Sequence, residues 1–162
     1  MDRDKIIKVA ASQNGYKEDP PNSNLTKYNL WYYGKNTAAP WCATSASWVF
    51  NEAGYPLPKI QDGVSGAAYV PYIYSFYKKW STPAKSKFTI TPQKADLVLY
   101  DWNGDKVGDH IGIFVGWVVQ GKSSYAWEGN TSPTSDSNGG EYMLRLRYIS
   151  QVLCFIDAEL AI

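Results

Sequence analysis

His110-Ile111-Gly112-Ile113-Phe114-Val115-Gly116-Trp117-Val118-Val119 is the stretch that decides the fold. It is rich in β-branched and aromatic residues and carries no helical spacing, so it reads as a strand. It stands among similar segments: Phe88–Ile90, Asp96–Trp102, Ser124–Glu128, Glu141–Tyr148 and Val152–Ile156. Turn chemistry separates them, with Asn103-Gly104, Gly121-Lys122 and the polar segment Thr131–Gly140 as connections. Everything from residue 88 onward therefore predicts an antiparallel sheet of about five to six strands.

The chain before residue 88 has a different period. Ile6, Ile7, Val9 and Ala10 recur at helical spacing within residues 2–13, and Gly15 follows as a stop. Cys42, Ala46, Val49, Phe50 and Ala53 share one helical face, ended by Gly54, Pro56 and Pro58. A further helix is predicted from Ser65, as N-cap, to about Lys79, with Pro71 shortening or kinking it. Residues 16–40 show no sustained period and are predicted to be a long ordered loop, a feature that in a compact domain usually serves function. Helices first and strands afterwards predict an α+β domain. The 162 residues suit one core, so a single domain over residues 1–162 is expected.

Composition narrows the function classes. Hydrophobic residues make up 44% and charged residues 19%, as in a globular chain, and the net charge of +1 comes without a basic cluster that would track nucleic acid. No apolar run approaches the roughly 20 residues needed to span a bilayer, so no membrane insertion is expected. The charged start Met1-Asp2-Arg3-Asp4-Lys5 has no apolar stretch behind it, which argues against a secretory signal. Aromatics reach 15%, suited either to gripping an extended polymer or to filling a small core. Cys42 and Cys154 permit at most one disulfide. Cys154 lies in the apolar run Val152–Ile156, so two free thiols are expected.

Three positions carry reactive chemistry. Cys42 opens a predicted helix, where the dipole and unpaired N–H groups favour a thiolate, although a small core residue would fit the same face. His110 is the only histidine and opens the strongest strand, so any Cys/His mechanism has one candidate base, although an edge histidine reads the same way. Glu128-Gly129-Asn130 ends the next strand. Glu128 and Asn130 would share a face if that strand persists, and either could orient an imidazole.

These motifs resemble the CHAP domain, a branch of the papain-like NlpC/P60 superfamily of peptidoglycan amidases and endopeptidases. The resemblance rests on Pro40-Trp41-Cys42-Ala43, Ser47-Trp48-Val49-Phe50, Ala95-Asp96-Leu97-Val98, Asp109-His110-Ile111-Gly112-Ile113 and Glu128-Gly129-Asn130-Thr131, in the family's order over about residues 12–157. It implies a papain-like fold, N-terminal helices on a C-terminal sheet, and a Cys42, His110, Glu128 and Asn130 site. The implied substrate is an amide of bacterial peptidoglycan, in the stem peptide, the cross-bridge or the bond joining glycan to stem. The implied reaction passes through a thioester. The Cys42 N–H holds the oxyanion, with Tyr28 or Tyr32 as a candidate second donor. Ala95 stands where relatives carry Gly.

No cofactor is required by this chemistry. The acidic calcium loop some relatives carry before the cysteine has no counterpart, because residues 24–41 contain no carboxylate. Asp101, Asn103, Asp105 and Asp109 form a weak calcium candidate. Lys106 and Gly112 break the ligand pattern of that motif, and a plain Asn-Gly turn explains the segment as well. Tyr28, Trp31, Tyr32, Trp41 and Trp127 are the expected exposed substrate-contact residues, and Trp48 is assigned to the core. A monomer acting on the wall is expected, made in the cytoplasm and reaching its target by holin-type release or by injection. That covers a phage endolysin or an antibacterial effector, the latter with an immunity protein as partner. A non-catalytic wall-binding module is the alternative.

Overall fold

The computed structural model describes residues 1–81, 86–135 and 138–162. Among them are five α-helices: α1 (Arg3–Ala11), α2 (Lys27–Tyr33), α3 (Cys42–Glu52), α4 (Val70–Trp80) and α5 (Ala158–Ala161). Six strands follow the first four helices: β1 (Phe88–Thr89), β2 (Leu97–Tyr100), β3 (His110–Val119), β4 (Ser123–Thr131), β5 (Glu141–Tyr148) and β6 (Val152–Ile156). They form one antiparallel sheet in the order β1-β6-β2-β3-β4-β5. The α+β class and the helices-then-strands order thus match the reading of the chain. The predicted Thr131–Gly140 connection includes residues 136–137, which lie outside the described residues.

Three helices differ from expectation, the short α5 after β6 having no counterpart in the sequence reading. Residues 16–40 are not all loop, because α2 forms inside them. Local capping explains it: Thr26 Oγ1 accepts the Asn29 N–H at one end, and Gly34 takes the left-handed conformation at the other. Seven residues are too few for a visible period. The helix predicted from Ser65 begins at Val70 with Tyr69 as its cap, and Pro71 occupies its first turn, where proline loses no bond.

α3 lies across β3 and β4, with α1 and α2 against it. Eight of its eleven residues are buried, from Cys42 through Ser47 and then Val49 and Phe50. A helix covered on so many sides needs small side chains for the sheet to approach. Ser45 and Ser47 supply them, and their buried hydroxyls donate to the Cys42 and Ala43 carbonyls at 2.8 and 2.9 Å. The approach is closest at Gly129, where a Cβ would stand 2.2 Å from Ser45 Oγ and 2.8 Å from the Trp41 ring. Leu97, Leu99, Ile111 and Ile113 face this helical layer. By alternation the intervening residues face the other way, where Val98, Tyr100, Phe114, Ala126 and Phe155 form a second, smaller cluster.

The segment leading into α3 is held by Asn29. This residue is fully buried, and its Nδ2 lies 2.8–3.1 Å from the carbonyls of Asn24, Thr37 and Ala39. Its Oδ1 accepts the Thr44 hydroxyl at 2.7 Å. One amide thus ties both ends of the 24–39 segment to the first turn of α3. Asn29→Ala strands those carbonyls and the hydroxyl in a buried place. We expect it to lower the stability by about 2–4 kcal/mol, read as a fall in the urea midpoint at unchanged slope. A loss under about 0.5 kcal/mol would mean that the segment is held by something else.

Candidate active site

Cys42 is the first residue of α3, and no side chain caps that helix: Trp41, at the cap position, makes no capping bond. The first intrahelical N–H bond is from Ser45 to the Trp41 carbonyl. The N–H groups of Cys42, Ala43 and Thr44 therefore have no carbonyl within the helix, and the positive end of its dipole lies at the sulfur.

His110 opens β3 opposite Tyr100 of β2 and is completely buried. Its Nε2 lies 2.9 Å from Glu128 Oε2. Glu128, on β4, is buried too, and Arg147 of β5 grips both its oxygens: Nε to Oε1 at 2.9 Å and a terminal nitrogen to Oε2 at 2.5 Å. The strand register makes this possible. Gly112 opposes Val98 with no side chain of its own, and a Cβ there would meet Glu128 Cγ at 3.0 Å. The missing side chain leaves room for Glu128 to reach back along the sheet to the imidazole. Tyr100 and Trp102 close the site, with ring centroids 5.9 and 5.7 Å from that of His110. The Arg147 guanidinium lies over the same two rings, at 5.5 and 4.9 Å.

Charge follows from this geometry. Burial by itself raises the Glu128 pKa, but the Arg147 and His110 contacts outweigh it and hold the carboxyl down at about 2. Glu128 is thus an anion that only accepts hydrogen bonds, so Nε2 must carry a hydrogen and donate it. Burial likewise lowers the His110 pKa, yet the Glu128 charge and the Cys42 sulfur together outweigh it and push the value up to about 9. The Cys42 sulfur lies near enough to the ring to add to this shift. Nδ1 itself is buried and makes no well-aligned hydrogen bond. With Nε2 committed to Glu128, Nδ1 is the atom left to face the sulfur.

Of the four expected site residues, His110 and Glu128 are in direct contact, and Cys42 lies near the imidazole. Asn130 does not join them through a hydrogen bond. The register slips between Glu128 and Thr131, so that Gly129 and Asn130 oppose Tyr142 alone, and Asn130 takes a φ of +57°. This bulge breaks the alternation that would have put Asn130 on the Glu128 face. Both polar atoms of the Asn130 side chain are buried without a partner. Arg147, which completes the chain of contacts, went unseen in the sequence. It sits in the alternating run Arg145-Leu146-Arg147, which reads as an ordinary strand with one solvated face.

The aromatic expectations need correction. Tyr28 and Trp41 are fully buried and stacked at 5.5 Å, and Tyr32 is buried with its ring against Gly63. The Tyr28 hydroxyl lies 3.1 Å from Gln13 Oε1, deep in the core, and it serves packing rather than an oxyanion. The Trp41 indole N–H donates to the buried Glu18 at 3.3 Å. The segment reads as a long ordered loop with exposed contact rings, whereas Tyr28, Tyr32 and Trp41 turn inward to build the core. Trp31, Trp127 and Trp48 are half-buried, the last two packed against the main core.

The oxygens of the weak calcium candidate serve their own loop. Asp101 accepts the N–H groups of Asn103, Gly104 and Lys106 at 2.7–3.2 Å, Asp105 that of Val107 at 2.8 Å, and Asp109 that of Trp102 at 2.7 Å. Among the described residues no group of three or more His, Cys, Asp or Glu is arranged to hold a metal. No described helix is long and apolar enough to cross a membrane. Cys42 and Cys154 are both free, and Cys154 is partly rather than fully buried, its thiol pushed up to about 12 by its surroundings.

No protein-family model matches the chain, and no curated protein matches it significantly.

Two predictions follow from the charge arrangement. Removing one partner of a buried ion pair leaves the other uncompensated, so Arg147→Met should cost about 3–5 kcal/mol in urea unfolding. A loss no larger than that of a surface arginine would show that the guanidinium does not hold Glu128. For His110, a folded-state pKa raised from 6.5 to about 9 contributes stability fully below pH 6.5 and loses it as pH rises through 9. Thermal melting midpoints from pH 7 to 10 should fall more steeply for the native chain than for His110→Gln. Parallel curves would mean that the imidazole gains no proton affinity on folding.

Proposed function

We propose that the chain is a papain-like cysteine hydrolase of the CHAP type that cleaves amide bonds of bacterial peptidoglycan. The observation that carries the reading is the buried His110, set between the sulfur at a helix start and a carboxylate that Arg147 keeps ionised. Burying three ionisable groups at 0–2% exposure is costly, and a domain with an adequate apolar core has no need of them for stability. Perturbed titratable groups beside a nucleophile are characteristic of active sites.

In this mechanism the Cys42 proton already rests on His110 Nδ1 at neutral pH, as the raised histidine pKa favours, while Nε2–H stays bonded to Glu128, which fixes the ring and stabilises the imidazolium. The sulfur attacks the scissile carbonyl. The oxyanion that develops is met by the uncapped N–H groups at the start of α3. The imidazolium then protonates the leaving amine as the C–N bond breaks, leaving a thioester. Water, deprotonated by His110, releases the acyl group and restores the starting pair. That Nδ1 makes no hydrogen bond before substrate binds is ordinary for such pairs. The wall polymer as substrate rests on the resemblance of the Trp-Cys-Ala, Asp-His-Ile-Gly-Ile and Glu-Gly-Asn motifs. Delivery by a phage or by injection remains part of the same proposal.

The decisive measurement is turbidity loss of purified bacterial sacculi. Cys42→Ala, and alkylation of the native chain with iodoacetamide, should each reduce clearing by at least about a thousandfold, because no second nucleophile occupies the site. Circular dichroism and the melting point should stay near native for the variant. Clearing at the native rate by a folded Cys42→Ala protein would remove Cys42 as nucleophile. Binding to sacculi without any clearing by the native chain would favour a wall-binding module instead.

A further inference from the structure

A cleft of about 230 Å³ opens over Cys42. One side is Ala68–Pro71 at the start of α4, and the other is Val107-Gly108-Asp109, immediately before His110. Its lining is apolar apart from the sulfur, the exposed Tyr69 and a single charged side chain, Asp109. The Asp109 carboxylate is half engaged: Oδ2 accepts the Trp102 N–H at 2.7 Å, which fixes its orientation. Its other oxygen has no partner among the described residues. Among the described residues Asp109 also enters no ion pair, although Lys106 lies in the same loop. This placement differs from that of the other carboxylates in the segment, since Asp101 and Asp105 are spent on loop N–H groups and do not line the cleft.

We infer that Asp109 is a specificity-determining residue that binds a primary ammonium group of the substrate, next to the bond cleaved at Cys42. The inference rests on the hydrolase reading and names its substrate class. Accepted peptides would carry a free amino group, at an N-terminus or on a diamino-acid side chain, rather than one already joined in a cross-link. The physical argument is complementarity. A fixed, exposed carboxylate with an unspent oxygen on the rim of the cleft, beside Val107 and with Val70 and Pro71 in the same lining, offers a charge-assisted bond to an ammonium group. The same walls suit the methylene stem that carries an ammonium head. An acetylated or cross-linked amine keeps the stem but loses the charge and would leave the carboxylate unpaired.

The test compares two preparations of purified sacculi, one untreated and one with its free amines acetylated by acetic anhydride, against the native chain and Asp109→Asn. The asparagine keeps an oxygen for the Trp102 N–H, so the loop retains its bond. The native chain should clear untreated sacculi about threefold to fivefold faster than acetylated ones, the size of an exposed ion pair. Asp109→Asn should bring that ratio close to one. Equal rates for the native chain, or a ratio that survives in Asp109→Asn, would overturn the ammonium assignment while leaving the hydrolase reading intact. If the native chain cleared neither preparation with its Cys42 thiol shown intact by mass spectrometry, the hydrolase reading itself would fall.

Discussion

The carboxylate of Glu128 is the constraint around which the rest of the site is arranged. It is an anion with essentially no exposure, and it persists only because Arg147 occupies both its oxygens and His110 takes a further bond. Each neighbour then has its own state dictated. Arg147 is pinned over Tyr100 and Trp102, and His110 is forced to present Nε2 inward and Nδ1 towards Cys42. The strands supply these groups one apiece: His110 from β3, Glu128 from β4 and Arg147 from β5. The sheet register is therefore also the geometry of the site. A slip by one residue in any of these pairings would turn a charged group towards the helical layer.

The helical layer solves a different problem. It has to bring a helix start, with its unspent N–H groups, against the end of β3. Small residues on α3 and glycine at position 129 let the two surfaces close, and Asn29 fixes the preceding chain. The aromatic residues of the α2 region fill the volume beside α3. Tyr28 and Tyr32 thus have a packing role there.

Much of the architecture could be read from the chain because it depends on local signals. The β3, β5 and β6 boundaries coincide with the segments inferred from residue type and turn chemistry, and α3 ends where Gly54 and the prolines require. The contact between His110 and Glu128 was also legible, through motif order. What escaped has physical causes in each case. α2 is a single capped element too short for periodicity. Asn130 sits on a bulge, and bulges are set by pairing between strands rather than by the sequence of one. Arg147 acts through a cross-strand neighbour nineteen positions away. Only the register could reveal that its face was buried. The exposed rings expected at Tyr28, Tyr32 and Trp41 failed because burial of an aromatic depends on what covers it, which spacing does not encode.

The loop from Asp101 to Asp109 has a thermodynamic consequence. Its carboxylates fold back on its own backbone, so this rim of the cleft is already ordered when the protein is folded. The conformational entropy of those residues has been surrendered before any ligand arrives. A molecule docking there would forfeit chiefly its own freedom, and a larger share of its contact energy would survive as net affinity.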